Sequence, residues 1–232
     1  MHPLGTSGSA IEGTHPGYEV KAGRRAQEQS WKALESIAAR IKPGTTEKEA
    51  IELAYSVLKE MGSPRSWHRP IVRFAKNTRL SFREKQEPER QLQNEEMFLI
   101  DIGPNWTFED FPGVEYEGDV GKTFVCGSPT PPQLQCIEVA DQLFREASTR
   151  WRTQQTSGIA LYEWMQARAN DLGHDLLLEA NGHRIGDFPH HNYFKKGLGS
   201  VEATPSAHLW VLEVHVLSRS GDFGAFYEDT LH

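Results

Sequence analysis

Residues 209–232, LWVLEVHVLSRSGDFGAFYEDTLH, hold two strand-like runs on either side of the turn-type segment Ser218-Arg219-Ser220-Gly221-Asp222. A turn centred on Ser220 and Gly221 sets Glu213, eight residues before Gly221, opposite Glu228, eight residues after Ser220. Opposed residues of an antiparallel pair point to one face with Cβ atoms roughly 4.5–5.5 Å apart, and like charges so placed repel. The problem recurs upstream, where Asp101 in FLIDIG (98–103) and Asp119 in GDVGKTF (118–124) flank a turn-rich segment around EDFPG (109–113). A single acid in a strand is normally a solvated surface group. Here Leu99-Ile100-Asp101-Ile102 and Val211-Leu212-Glu213-Val214 read as interior strands without a basic partner. A buried carboxylate is costly unless paired, and a divalent cation inverts that local charge logic. The opposed acids therefore read as metal ligands.

Working outward, Ala26, Trp31, Leu34, Ile37, Ala38 and Ile41 recur at helical spacing in residues 21–41. Residues 42–62 carry a capping box, Thr46-x-x-Glu49, and a stop at Gly62. Strand-like RPIVRFA (69–75), EMFLIDIG (96–103) and DVGKTFVC (119–126) follow. Helical patterns return over 132–154, opened by Pro132, and over 159–173, opened by Ser157-Gly158. The order helix, helix, strands thus occurs twice, and each half ends in a strand pair with two acids. This predicts an α+β fold over residues 21–232, a curved antiparallel sheet backed by helices with an internal pseudo-twofold. Residues 1–20 read as a flexible or loosely packed arm.

Over 232 residues, 38% hydrophobic and 25% charged residues make an ordinary globular composition. A net charge of −7 without a basic run argues against a nucleic-acid partner, and the apolar stretches are too short for a membrane span. Two cysteines, Cys126 and Cys136, and an N-terminus without the plan of a secretion signal point to a reduced, cytoplasmic setting. GDVGKT is not a phosphate-binding loop, because Tyr116 stands where that motif needs glycine, and no Gly-x-Ser-x-Gly elbow occurs.

A histidine would complete an oxygen-rich site suited to Mn, Fe, Co or Zn. The best source is EANGHRIGDFPHHNY (179–193), with His183, His190 and His191. His215 lies two residues from Glu213 on the same strand face. His2, His15, His68, His174, His208 and His232 fall in loops or near termini and are not expected in the site.

KPGTTEKE, FLIDIG, GDVGKTF, GHRIG followed by a histidine, LEV and FYEDT, in this order and spacing, resemble the pita-bread metallopeptidases. That family (peptidase family M24) includes methionine aminopeptidases, Xaa-Pro aminopeptidases, prolidases and creatinase. The resemblance runs from about Lys21 to the end and implies the pita-bread fold. It implies five metal ligands, Asp101, Asp119, His183, Glu213 and Glu228, which coincide with the acids singled out above. It further implies two divalent ions (Mn, Fe or Co, or alternatively Zn) sharing a water that attacks a carbonyl. Glu213 would also serve as proton-transfer base and His190 would contact the carbonyl and oxyanion. The implied activity is aminopeptidase-like hydrolysis of a peptide, of the Xaa-Pro or methionine aminopeptidase class.

Three departures bear on the substrate. Phe82, five residues after Asn77, occupies a position usually held by histidine; His191 follows His190 where an acid is usual; Val214 stands where proline is common. With His215, Phe82 and His191 form the expected substrate pocket. Phe82 and His191 favour an alternative, a small non-peptide substrate handled by a creatinase-like hydrolase or an iron-dependent oxidative enzyme. Retention of all five ligand types speaks against an inactive binding module. Residues 105–118, longer than the family's usual link, are expected to form an inserted loop bordering the pocket.

Overall fold

The computed structural model describes residues 10–85, 87–189, 196–219 and 221–232. Helix α1 spans Val20–Arg40 and α2 spans Glu47–Glu60. The expected capping box opens α2: Thr46 Oγ1 accepts from Glu49 N at 3.1 Å, and Glu49 Oε2 accepts from Thr46 N at 2.8 Å. Gly62, at φ +93°, follows its last turn in the left-handed conformation that ends many helices. Strands β1 (Ile71–Phe74) and β2 (Met97–Ile102) come next, then β3 (Asn105–Phe108), β4 (Phe111–Glu117) and β5 (Val120–Val125). Helices α3 (Pro131–Gln154) and α4 (Gly158–Asp171) precede β6 (His174–Leu176), β7 (His183–Arg184), β8 (Trp210–Ser218) and β9 (Gly224–Thr230).

The main sheet has the order β1-β2-β5-β9-β8-β6 with every neighbouring pair antiparallel, and β7 joins β8. The order is mirrored about the β5–β9 boundary. On one side lie β1, β2 and β5, which follow α1 and α2; on the other lie β6, β8 and β9, which follow α3 and α4. The expected duplication is therefore present.

Alternation along each strand divides the sheet into two faces. Phe98, Ile100, Val120, Leu212, Val214, Val216 and Ala225 join the helices' buried residues, such as Leu34, Ile37, Leu143 and Met165, in one core. The opposite face carries Asp101, Gly121, Glu213 and Glu228, with a smaller apolar cluster of Leu99, Ala180 and Phe226. Asp101 faces Gly121, Gly121 faces Glu228, and Glu228 faces Glu213, so these positions form one row across four strands. The glycine makes the row possible. A Cβ at Gly121 would lie 2.3 Å from Phe226 Cε1 and 3.1 Å from Glu228 Oε2.

Two expectations need correction. Residues 105–117 form a β3–β4 hairpin rather than an irregular loop, and it packs on α1, away from the pocket. Trp106 Nε1 donates to Ser30 Oγ at 2.9 Å, and the Tyr116 ring lies 5.3 Å from that of Tyr18. The Arg25 guanidinium stacks 4.4 Å from the Phe108 ring centre and pairs with Asp110 at 2.9 Å. Pro112, Gly113 and the acids at 109 and 110 gave this stretch the look of a loop, whereas its aromatic residues needed burial.

The N-terminal arm is docked over its described part. Glu12 is buried and accepts from Trp210 Nε1 at 2.7 Å and from Ser206 N at 2.8 Å. Arg184 Nη2 donates to Gly13 O at 2.7 Å. A buried carboxylate with several donors holds a segment that composition alone read as loose.

Gly121→Ala is expected to destabilise the domain by about 1–3 kcal/mol, the usual cost of overpacking. Chemical denaturation against wild type checks this; an unchanged midpoint would show that the row tolerates a methyl group there.

Candidate metal centre

Five sequence-predicted residues arrive from five places. Asp101 comes from β2, Asp119 from the residue ahead of β5, His183 from β7, Glu213 from β8 and Glu228 from β9. Asp119 and Glu228 are buried, at 1% and 2% exposure. His183 Nε2 stands 2.7 Å from Asp119 Oδ2, 3.7 Å from Glu228 Oε1 and 3.8 Å from Glu213 Oε1. The ligand atoms of Asp119, His183 and Glu228 all lie within 4.8 Å of one another, and so do those of His68, Asp101 and Asp119. Asp119 belongs to both groups.

His68 is the residue that the sequence reading missed. It lies in the loop between α2 and β1, yet its Nε2 is 3.3 Å from Asp119 Oδ1 and 3.4 Å from Asp101 Oδ1. The loop is brought there by nonlocal pairing: Trp67 N donates to Gly103 O at 2.9 Å, and Ser66 bridges to Pro104. No periodicity within residues 63–70 could have shown this. A faint local signal existed in Trp67-His68-Arg69-Pro70, a bulky stretch running straight into an apolar strand.

The backbone under the acids is pinned from the helices. Gln27 of α1 clamps Asp119 with its side-chain amide, accepting from Asp119 N at 3.0 Å and donating to Asp119 O. Tyr162 of α4 does the same for Glu213, its hydroxyl donating to Glu213 O at 3.0 Å and accepting from Glu213 N at 3.2 Å. Each clamp satisfies backbone groups that would otherwise be buried without a partner.

The site is short of positive charge. Asp101 Oδ1 and Glu228 Oε2 are buried and accept no hydrogen bond among the described residues, and Asp119 Oδ2 has the His183 imidazole beside it at 2.7 Å. Such orphaned acceptors are rare in folded proteins and call for an occupant. Carboxylate oxygens with imidazole nitrogen are a donor set suited to Mn, Fe, Co or Zn, so the residues present fit divalent ions. In the metal-free protein, protons must fill the role. Burial, reinforced by the Asp119 charge, lifts Asp101 to about 6. Burial, reinforced by Asp101 and Asp119, lifts Glu213 to about 7. Glu228 is pushed well above the carboxylate range by burial and by its acidic neighbours. His183 is also raised: burial opposes its charge, but the facing acids outweigh it.

The row opens onto a cavity of about 830 Å³ lined by Trp67, His68, Phe82, His215 and Phe226, among others. Phe82 stands at its rim, 54% exposed, with the Arg83 guanidinium 5.2 Å from its ring centre. His215 lies on the floor. Its Nε2 bonds Thr78 O at 2.7 Å, and burial holds it down at about 4, so the ring is neutral. His190 and His191 lie outside the described residues.

An antiparallel sheet of two mirrored halves, with a carboxylate row and histidine on its open face, is the architecture of a pita-bread metalloenzyme. Residues 21–232 match the profile of metallopeptidase family M24. The chain belongs to that family of metal-dependent hydrolases. Among solved structures, it is similar to an X-Pro aminopeptidase from Thermotoga maritima (TM-score 0.73, 17% identity, covering 95% of this chain and 59% of that one). It is also similar to a prolidase from Pyrococcus horikoshii (0.69, 17%, 91% and 58%) and a methionine aminopeptidase from Thermotoga maritima (0.67, 13%, 94% and 93%). The chain thus spans less than two thirds of the first two and nearly all of the third. A comparison with curated protein sequences gives no match. No helix among the described residues is long and apolar enough to cross a membrane.

The metal-free protein should lose stability as pH rises. Asp101 and Glu213 titrate near 6 and 7 in the fold but near ~4 when unfolded, so the native state holds more protons between ~4 and ~7. Their stabilising contribution is complete below ~4 and disappears as pH passes 7. Melting with chelator across pH 4.5–8 is expected to show a falling contribution that Glu213→Gln reduces. Added Mn²⁺ should recover more stability at the upper end. Equal pH profiles for wild type and variant would contradict these shifts.

Proposed function

We propose that this chain is a dinuclear-metal hydrolase of aminopeptidase type, cleaving the amide after the N-terminal residue of a short peptide in the Xaa-Pro or methionine aminopeptidase class. The observation that carries the reading is the convergence of the Asp101, Glu228 and Glu213 row with Asp119 and His183 beside one cavity. Two bound divalent ions (Mn, Fe or Co, with Zn as the alternative) would supply a water of lowered pKa and a polarised carbonyl. Asp119, common to both groups of candidate ligands, would help to hold both ions. Glu213 is the base: its carboxylate takes the proton of the attacking water and returns it to the leaving nitrogen. His190 is assigned the carbonyl-oxygen contact on the family resemblance. A volume of about 830 Å³ falls within the range of small-ligand sites, which suits a chain end of a few residues better than a long polypeptide. Both cysteines are free, in keeping with a reducing, cytoplasmic setting.

Phe82 supports a second reading, a small non-peptide substrate. A phenyl ring cannot donate the hydrogen bond that a histidine could give beside the scissile bond, and at the rim it supplies an apolar wall instead.

A metal-saturated assay on N-terminal Met and Xaa-Pro peptides tests both. Wild type is expected to turn over below the ordinary ~1–10³ per second. Phe82→His should raise that rate, and Glu213→Gln should abolish it while metal-free melting still reports a folded domain. If neither wild type nor Phe82→His cleaves any peptide while both hold metal, the aminopeptidase reading fails and the non-peptide substrate takes its place.

A further inference from the structure

His68 and His183 are wired alike. His183 Nδ1 bonds the carbonyl oxygen of the next residue, Arg184, at 2.8 Å, and His68 Nδ1 bonds that of its own next residue, Arg69, at 2.9 Å. A carbonyl oxygen only accepts, so in both rings Nδ1 carries the proton and Nε2 faces the carboxylates. That is the arrangement by which proteins fix the tautomer of a metal-binding imidazole. Trp67 packs between them, its ring centre 4.4 Å from that of His68 and 5.0 Å from that of His183.

The backbone also makes room for His68 specifically. A Cβ on Gly103 would lie 2.2 Å from His68 Cδ2 and 2.4 Å from its Nε2. Only glycine at 103 lets the ring edge sit against Asp101 and Asp119. The 3.3 and 3.4 Å separations to those carboxylates are long for charge-assisted hydrogen bonds of ~2.7–2.9 Å. They fit the edge between two ligands of one ion, since bonds of ~2.0–2.2 Å put ligand atoms about 2.8–3.1 Å apart at octahedral angles and about 3.3–3.6 Å apart at tetrahedral ones.

We propose that His68 is a sixth protein ligand, so that each of the two metal positions carries one imidazole: His183 with Asp119 and Glu228, and His68 with Asp101 and Asp119. The inference rests on the dinuclear reading above and extends it beyond the five ligands implied by the resemblance. Nitrogen at both positions favours Fe²⁺, Co²⁺ or Zn²⁺ over Mg²⁺ or Ca²⁺ throughout the centre.

The test uses Co²⁺ as probe. Wild type is titrated calorimetrically, its retained metal is counted after dialysis, and proton NMR records hyperfine-shifted, exchangeable imidazole N–H resonances of the loaded protein. Wild type is expected to hold two ions and show two such resonances. His68→Ala should keep one ion and one resonance and bind the second ion at least ~10–100-fold more weakly, the loss seen even for outer-shell partners. Free imidazole should restore part of that affinity. Two ions in wild type, with stoichiometry and affinities left unchanged by His68→Ala, overturn the proposal, as does a single resonance from wild type loaded with two ions; both leave the dinuclear reading standing. A wild type that holds one Co²⁺ or none at saturation overturns the dinuclear reading and this one together.

Discussion

The arrangement on which everything else depends is a row of carboxylates on a buried sheet face. Asp101, Glu228 and Glu213 lie on adjacent or near-adjacent strands in register, and Asp119 stands two residues from the glycine in that row. Two unit charges ~4 Å apart repel by about 4 kcal/mol at an effective dielectric of ~20. A whole domain is stable by only ~5–15 kcal/mol. A fully ionised, uncompensated row would therefore use up much of what holds the chain folded. The raised titration of Asp101, Glu213 and Glu228 expresses that conflict in the metal-free protein, and divalent ions resolve it without protonating the acids.

The rest of the structure keeps the acids from escaping the conflict by moving. Gln27 and Tyr162, from helices in opposite halves, each grip both backbone groups of a ligand residue. Asp229, beside Glu228 but pointing toward the helices, accepts from Gln27 Nε2 and Trp31 Nε1 at 2.8 Å each and so ties β9 to α1. The duplicated architecture supplies acids from both halves, and the small residue at Gly121 lets the halves meet without filling the centre.

Much of this was legible because strand alternation and a two-residue turn estimate suffice to oppose Glu213 and Glu228, which the register confirms. The helices were legible from apolar spacing and from caps such as Thr46 with Glu49. What escaped depended on contacts far apart in sequence. His68 enters the site because the 66–67 backbone pairs with 103–104, a fact that no local pattern encodes. The 105–117 hairpin is held by α1 rather than by its own turn chemistry, and Glu12 and Gly13 are held by Arg184, Ser206 and Trp210. Local propensity describes elements; it does not say which distant surface claims a weak one.

The central claim is that the carboxylate row exists to hold two cations. Anomalous diffraction from a crystal grown with saturating Mn²⁺ and recorded near the metal's absorption edge tests it most directly. The account predicts two peaks roughly 3.5–4 Å apart, one beside Asp119, His183 and Glu228 and the other beside Asp101 and Asp119. Absence of any peak in the row, with the acids instead paired to protonated histidines, would contradict it.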